Sequence, residues 1–298
     1  MENFLVTLLL LLFGMGLRRF RLIPDNAAQT LNLFVIYISL PALVLLKVPE
    51  LTPSVDLLVP FLMPWLMLAV SAALVLALGR LLTLRQEIIG ALLLVVPLGN
   101  TSFLGIPMVE AFFGSAGIPY AVLYDQLGSF LALASYGSMI LAIYGSGVRP
   151  SLGGIVKKVL CFPAFIALVA AIVLRPVAWP EAVAAMLRIV AASLVPVVMV
   201  AVGLQLRLRM EKEHLKPFVA GLVLKLVVAP GLALLTCVLF SWSSLPAKVA
   251  VFEAGMPPMV TAAALASLAG LAPEFTAAMV GYGILFSFTT LPVLFQFL

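Results

Sequence analysis

The sequence reads as an all-α polytopic membrane protein, on three grounds. Of 298 residues, 64% are hydrophobic and only 10% charged, against about 45–50% and about 25% in soluble domains. Too little charge remains to cover a water-facing surface. The apolar residues come in long continuous runs, not in the ten-residue alternating segments of a transmembrane β-barrel. The charges fall in short loops between those runs, and mean hydropathy is +1.25.

About 20 apolar residues span a bilayer as a helix. Ten such spans are expected, at residues 3–17, 27–46, 57–79, 87–113, 119–145, 158–176, 182–206, 217–241, 246–269 and 275–297. The first is short and would rely on flanking residues to reach the interface. Its charges exclude a secretory signal, because Glu2 precedes the run while Arg18, Arg19 and Arg21 follow it.

Basic residues orient the spans. Twelve of the 17 Lys and Arg fall in loops one–two, three–four, five–six and seven–eight, from Arg18 to Lys216. Four lie on the other side (Lys47, Arg175, Arg188 and Lys248), and Lys225 lies within span eight. The positive-inside rule then places both termini outside, in the inner membrane if the source is bacterial. Trp179 and Trp242 fall on the outer side, as interface anchors do. The net charge of +5 follows from this bias and does not indicate nucleic acid.

The punctuation repeats. Span two carries Ser39-Leu40-Pro41 and span seven Ser193-Leu194-Val195-Pro196. Span four is interrupted by Pro97, Gly99, Asn100, Gly105 and Pro107, and span nine by Gly255, Pro257 and Pro258. Both interruptions fall in the fourth span of a five-span half, at 1–150 and 151–298. Five is odd, so the second half enters the membrane inverted, the arrangement of many secondary transporters. Scaffold and transport subdomains would each mix helices of both halves.

The two interruptions are the expected binding site. Asn100 lies roughly 20 Å along span four, and Pro257-Pro258 roughly 17 Å from the outer end of span nine, at about 1.5 Å per residue. The two breaks meet near the membrane centre on that arithmetic. Each second half-helix would offer free N–H groups and a positive dipole end, drawing a carboxylate without a fixed cation. Asn100, Thr101, Ser102 and Thr261 would orient it, while Gly105, Pro107, Pro257 and Pro258 shape the break. The plain alternative is a pair of packing kinks. Pro41 and Pro196 are expected to kink the scaffold helices beside the site.

Three charged residues lie inside spans and are functional candidates by that fact: Asp125, Glu253 and Lys225. Either acid could take up a coupling proton, with Lys225 supporting the unwound region or attracting the anion. The alternative is a structural polar contact. By rise along the helix, the lysine stands roughly 8 Å from either acid in depth, so direct pairing needs tilt or the long lysine stem. His214 is expected in a solvated loop, Cys161 and Cys237 as small buried hydrophobes, and Tyr37 as a residue that nothing singles out. The stripes Ala134, Ser138, Ala142 and Ala262, Ala266, Gly270 suit close helix packing.

At these residues the chain resembles a family. Gly99-Asn-Thr-Ser-Phe-Leu-Gly-Ile-Pro-Met108 resembles the signature of the prokaryotic auxin efflux carrier family, relatives of the plant PIN carriers. Tyr124-Asp-Gln-Leu-Gly128, Lys225-Leu-Val-Val-Ala-Pro230 and Ala254-Gly-Met-Pro-Pro-Met259 are also similar to it. The resemblance runs the length of the chain. It implies ten helices in two inverted five-helix repeats with helices four and nine broken and crossed, as in sodium/proton antiporters and bile-acid symporters. It also implies organic-anion transport by an elevator motion, with the crossover roles falling on Asn100, Pro107 and Pro257. The long cytoplasmic loop of the large plant members is absent. Bacterial members are described as malate or malonate permeases, which makes auxin itself a poor expectation.

The expected activity is therefore secondary transport of a small carboxylate. No cofactor is expected beyond a coupling proton or sodium ion. The partners are that anion and the bilayer, in a monomer or homodimer. A sodium-coupled symporter of bile-acid type and a sodium/proton antiporter remain alternatives, although the adjacent acids of such antiporters are Asp125-Gln126 here. An intramembrane protease would need an HExxH helix or paired aspartates, and a P-loop is absent. A channel would differ in lacking counterflow.

Overall fold

Prolines decide where the helices deviate from regularity. A proline lacks an N–H, and its ring crowds the carbonyl four residues back. Three times the chain answers with a widened π turn ending two residues earlier: Val35–Ser39 before Pro41, Thr101–Gly105 before Pro107 and Leu224–Val228 before Pro230. Two more π turns, Asp125–Phe130 and Leu133–Gly137, have no proline behind them. Such turns re-aim side chains and cluster at functional sites.

The computed structural model describes residues 2–20, 23–24, 26–145, 151–176, 179–210 and 212–298. Arg21 and Arg149, used above to orient the spans, lie outside them. In chain order the helices are α1 (Glu2–Arg19), α2 (Ala27–Glu50), α3 (Val55–Leu81), α4 (Gln86–Val95), α5 (Thr101–Phe113), α6 (Ser115–Tyr144), α7 (Leu152–Leu160), α8 (Pro163–Val173), α9 (Glu181–Gln205), α10 (Leu215–Leu239), α11 (Leu245–Ala254), α12 (Val260–Leu268) and α13 (Pro273–Phe295). Among the described residues no strand forms; one isolated antiparallel bridge joins Gly99 and Pro258.

Among the described residues six helices are long and apolar enough to cross a membrane: α2, α3, α6, α9, α10 and α13. α7 and α8, bent by 63°, make a seventh if they form one span. The other stretches expected as spans are helical but depart from the simple pattern. α1 has 18 residues with Glu2, Arg18 and Arg19 at its ends. α4 with α5, and α11 with α12, are half-length helices on either side of a break. Many large apolar side chains face outward, Leu9, Phe13, Ile143, Val173 and Ile189 among them. In water this would be an aggregation surface; against lipid it costs nothing.

Contacts away from the breaks also tie the first half of the chain to the second. α1 lies against α9 so closely that a side chain at Gly14 would strike the Val200 carbonyl and one at Gly203 the Leu11 carbonyl. This is small-residue packing of the kind membrane helices use. At the end of α1, Arg18 Nη1 donates to the Leu206 carbonyl at 2.7 Å and the Leu204 carbonyl at 3.2 Å. α2 meets α9 where Ser39 Oγ and Ser193 Oγ sit 2.7 Å apart. These are the matching serines of the Ser-Leu-Pro and Ser-Leu-Val-Pro motifs. Pro41 is partly buried in α2, and Pro196 is exposed on α9 three residues after the irregular turn at Ser193.

Candidate functional site

The two breaks pair with each other. Residues 96–100 and 255–259 leave the helical path, and Gly99 and Pro258 form an antiparallel bridge. The Asn100 N–H donates to the Pro257 carbonyl at 2.8 Å, and the Met259 N–H to the Leu98 carbonyl at 3.0 Å. Unwound backbone at membrane depth must find partners within the protein, and here each break satisfies the other. Pro257 and Pro258 have no N–H to satisfy, which lowers the demand.

Around this bridge the chain buries every intramembrane charge identified from the sequence. Asp125 is 1% exposed, Lys225 4% and Glu253 0%. Two of the three start from π turns, Asp125 at the head of Asp125–Phe130 and Lys225 inside Leu224–Val228. Glu253 sits in the last turn of α11, two residues before Gly255.

The three are held very differently. Asp125 accepts hydrogen bonds from Thr101 Oγ1 and Ser102 Oγ, each at 2.5 Å, and from Gln126 Nε2 at 2.7 Å. Thr101 and Ser102 open α5, so its carboxylate sits at the positive end of the second half-helix of the first break, where negative charge is favoured. Lys225 Nζ lies 3.5 Å from the Ala254 carbonyl, the last residue of α11, where positive charge is favoured. It also packs over Gly99, 3.1 Å from where a Cβ would be. Among the described residues, neither carboxyl oxygen of Glu253 has a hydrogen-bond partner. Its carboxyl rests against Gly105, where a side chain would collide with it. It lies within electrostatic range of both Asp125 and Lys225. The ion pairs among the described residues are Lys47–Glu50, Arg85–Glu87 and Arg188–Glu181, so Lys225 does not pair directly with either acid.

A small cavity of about 10 Å³ lies in this cluster, lined by Ser71, Gly99, Thr101, Ser129, Lys225 and Glu253 among others. That is room for about one water-sized group, far short of the roughly 300 Å³ of a small-ligand pocket. The geometry is that of a closed site.

The sequence-derived residues divide accordingly. Asn100, Thr101, Gly105, Pro107, Pro257 and Pro258 are buried at or beside the bridge, and Ser102 is partly buried. The Asn100 side-chain Nδ2 is buried without a partner, which leaves an amide donor unused at the crossing. Thr261 does not join them; it is exposed on α12. Two expectations about the charge pattern change. A fixed cation, Lys225, is present at the crossing, and the protein's own Asp125 occupies the N-terminus of α5. Gln126 and the serines of the cavity wall, Ser71 and Ser129, were not anticipated. Gln126 had a signal in its adjacency to Asp125, whereas the serines had none.

The remaining residues sit apart from the crossing. His214, at the start of α10, packs edge-on to Phe275 with ring centres 6.0 Å apart. Cys237 is buried as expected, but Cys161 is exposed, because it stands at the bend between α7 and α8. Tyr37 is exposed on α2. The sequence reading also missed a phenylalanine cluster in which Phe112 meets Phe4, Phe252 and Phe295 at centroid distances of 5.0–5.5 Å. Scattered single phenylalanines carry no signal of such a contact.

Apolar helices with paired breaks around buried charges define an integral membrane transporter. Comparison with known proteins agrees. The family model described as "Membrane transport protein" matches residues 1–295. The chain belongs to this family, the auxin efflux carrier family that its motifs resemble. Two relatives span nearly its whole length. An uncharacterized transporter of Methanocaldococcus jannaschii is 27% identical over 277 residues, 90% of this chain and 89% of its own. Another of Methanothermobacter thermautotrophicus is 26% identical over 296 residues, 98% and 96% of the two chains.

Proposed function

We propose that this protein is a secondary active transporter for a small organic anion, working by elevator-type alternating access. The observation that carries the reading is the paired break at Gly99 and Pro258 with Lys225 beside it and the Asn100 amide unused. An unpaired buried amide and a buried ammonium are both costly. A carboxylate would satisfy both. The α12 N-terminus, which carries no protein carboxylate comparable to Asp125 on α5, adds a favourable dipole end.

In this reading the chain forms ten spans in two inverted five-helix repeats, 1–150 and 151–298. Contact between the matching serines Ser39 and Ser193 supports a repeat axis passing near them. The broken helices α4–α5 and α11–α12 belong to the moving part, and α1, α2 and α9 to the scaffold. The closed cavity corresponds to an occluded stage, and substrate enters when the two parts shift. Transport is coupled to a proton or sodium gradient, with Asp125, Glu253 and Lys225 as the charges that respond. The protein resides in the cell membrane with both termini outside, as a monomer or homodimer.

The test is counterflow in proteoliposomes across a panel of mono- and dicarboxylates, malate and malonate included. Saturable exchange of one of them, lost in Asn100→Ala while the protein remains folded, supports the reading. Cation exchange with no carboxylate exchange would replace it with the antiporter alternative.

A further inference from the structure

Two buried carboxyls at one crossing invite the question of which one exchanges a proton. We propose that Glu253 carries the coupling proton and that Asp125 remains an ionised, structural carboxylate. This rests on the carrier reading and specifies its coupling ion.

The argument begins with donors. An ionised carboxylate survives burial only when hydrogen bonds and opposite charge replace its water. Asp125 has three donors and the positive end of α5. Protonating it would set a hydroxyl against three groups that already donate to it. Among the described residues no group donates to Glu253, which is completely buried. Left ionised there, it would be the more expensive charge by far. Neutral, it leaves only an unsatisfied hydroxyl, a far smaller cost.

Charge balance points the same way. With Glu253 neutral, the buried cluster holds one cation, Lys225, and one anion, Asp125. With Glu253 ionised, two anions share one lysine that contacts neither directly. The titratable groups facing Glu253 are Lys225 on α10 and Asp125 and Tyr124 on α6. The packed α3 and α5 present Ser71 and Thr101 to the same cavity, and α13 presents Phe295 to the neighbouring Phe252. Glu110 on α5 lies instead within electrostatic range of Lys47.

The cavity gives the proton its route. Glu253 lines a space of about 10 Å³ that admits a single water. When the moving part opens that space to either side, water reaches the carboxyl. Glu253 then loses its proton to water, or the carboxylate gains one from water, and no other bond changes. In the loaded, closed state the carboxyl is protonated, because that form tolerates burial without protein donors. One proton is thus moved for each passage of the loaded, closed state.

The test is infrared spectroscopy of the purified full chain at neutral pH, comparing wild type, Glu253→Gln and Asp125→Asn. The wild type should show a protonated-carboxyl carbonyl band that shifts in heavy water. Glu253→Gln should lack it and Asp125→Asn should keep it. Labelling the wild type with carbon-13 glutamate should move the same band, which settles the residue type even if a variant fails to fold. Absence of the band from wild type, its survival in Glu253→Gln, or its loss in Asp125→Asn would overturn the assignment. The band is read without any transported substrate. A carboxylate panel that shows no counterflow would therefore sink the carrier reading and leave this result standing.

Discussion

The first and second breaks share a backbone bridge and differ in almost everything around it. The first opens into α5 with Thr101 and Ser102, whose hydroxyls are committed to Asp125. The second opens into α12, where Thr261 is exposed. At the opposite ends the asymmetry reverses. The second break has charges at the close of its leading half-helix, Glu253 within α11 and Lys225 against its last carbonyl. One break has its dipole end already met by Asp125, and at the other no side chain caps the helix while a cation stands at its back. Two breaks that look alike as punctuation thus have different chemistry. On the proposed reading, the second supplies the free dipole end, the cation and the proton-exchanging acid, and the first adds the Asn100 amide.

The largest expected effect breaks this comparison at its centre. Asn100→Ala removes the free amide but keeps the backbone bridge, so the protein should fold while carboxylate affinity falls roughly tenfold or more, the worth of a hydrogen bond to a charge. Counterflow measures it. Removing a donor to Asp125 by Thr101→Val should cost stability instead, about 1.5–3 kcal/mol in chemical unfolding. Gly105→Ala drives a methyl group into the Glu253 carboxyl and should cost about 1–3 kcal/mol by overpacking. A loss of less than half a kcal/mol would mean that the carboxyl moves aside freely. Ser39→Ala removes the contact with Ser193 and should cost about 1 kcal/mol. The smallest effect sharpens the contrast between the breaks: Thr261→Val should change stability by no more than about 0.5 kcal/mol, whereas the matching change at Thr101 does not.

Much of this was legible in the residues. Proline and glycine at Pro97–Pro107 and Gly255–Pro258 mark breaks because they remove donors and helix propensity, and a break at membrane depth must be paired. Lys225, Asp125 and Glu253 stand out because ionisable groups inside apolar runs are costly. What the sequence does not reveal is direction. The π turns at Asp125–Phe130 and Leu224–Val228 rotate their side chains away from the helical spacing that an ordinary reading assumes. Which acid gains donors depends on that rotation. Thr261 is the second residue after its break and Thr101 the first after the other, yet only Thr101 meets a carboxylate. Cys161 reads as buried in an apolar run until the chain bends beside it.

The most direct measurement is a thermal-shift screen of the purified protein with mono- and dicarboxylates, with and without sodium, in wild type and Asn100→Ala. The account predicts that at least one carboxylate raises the melting temperature of wild type and leaves Asn100→Ala unmoved. Equal stabilisation of both proteins, or stabilisation by sodium alone with no carboxylate effect, would contradict an anion site at the paired breaks.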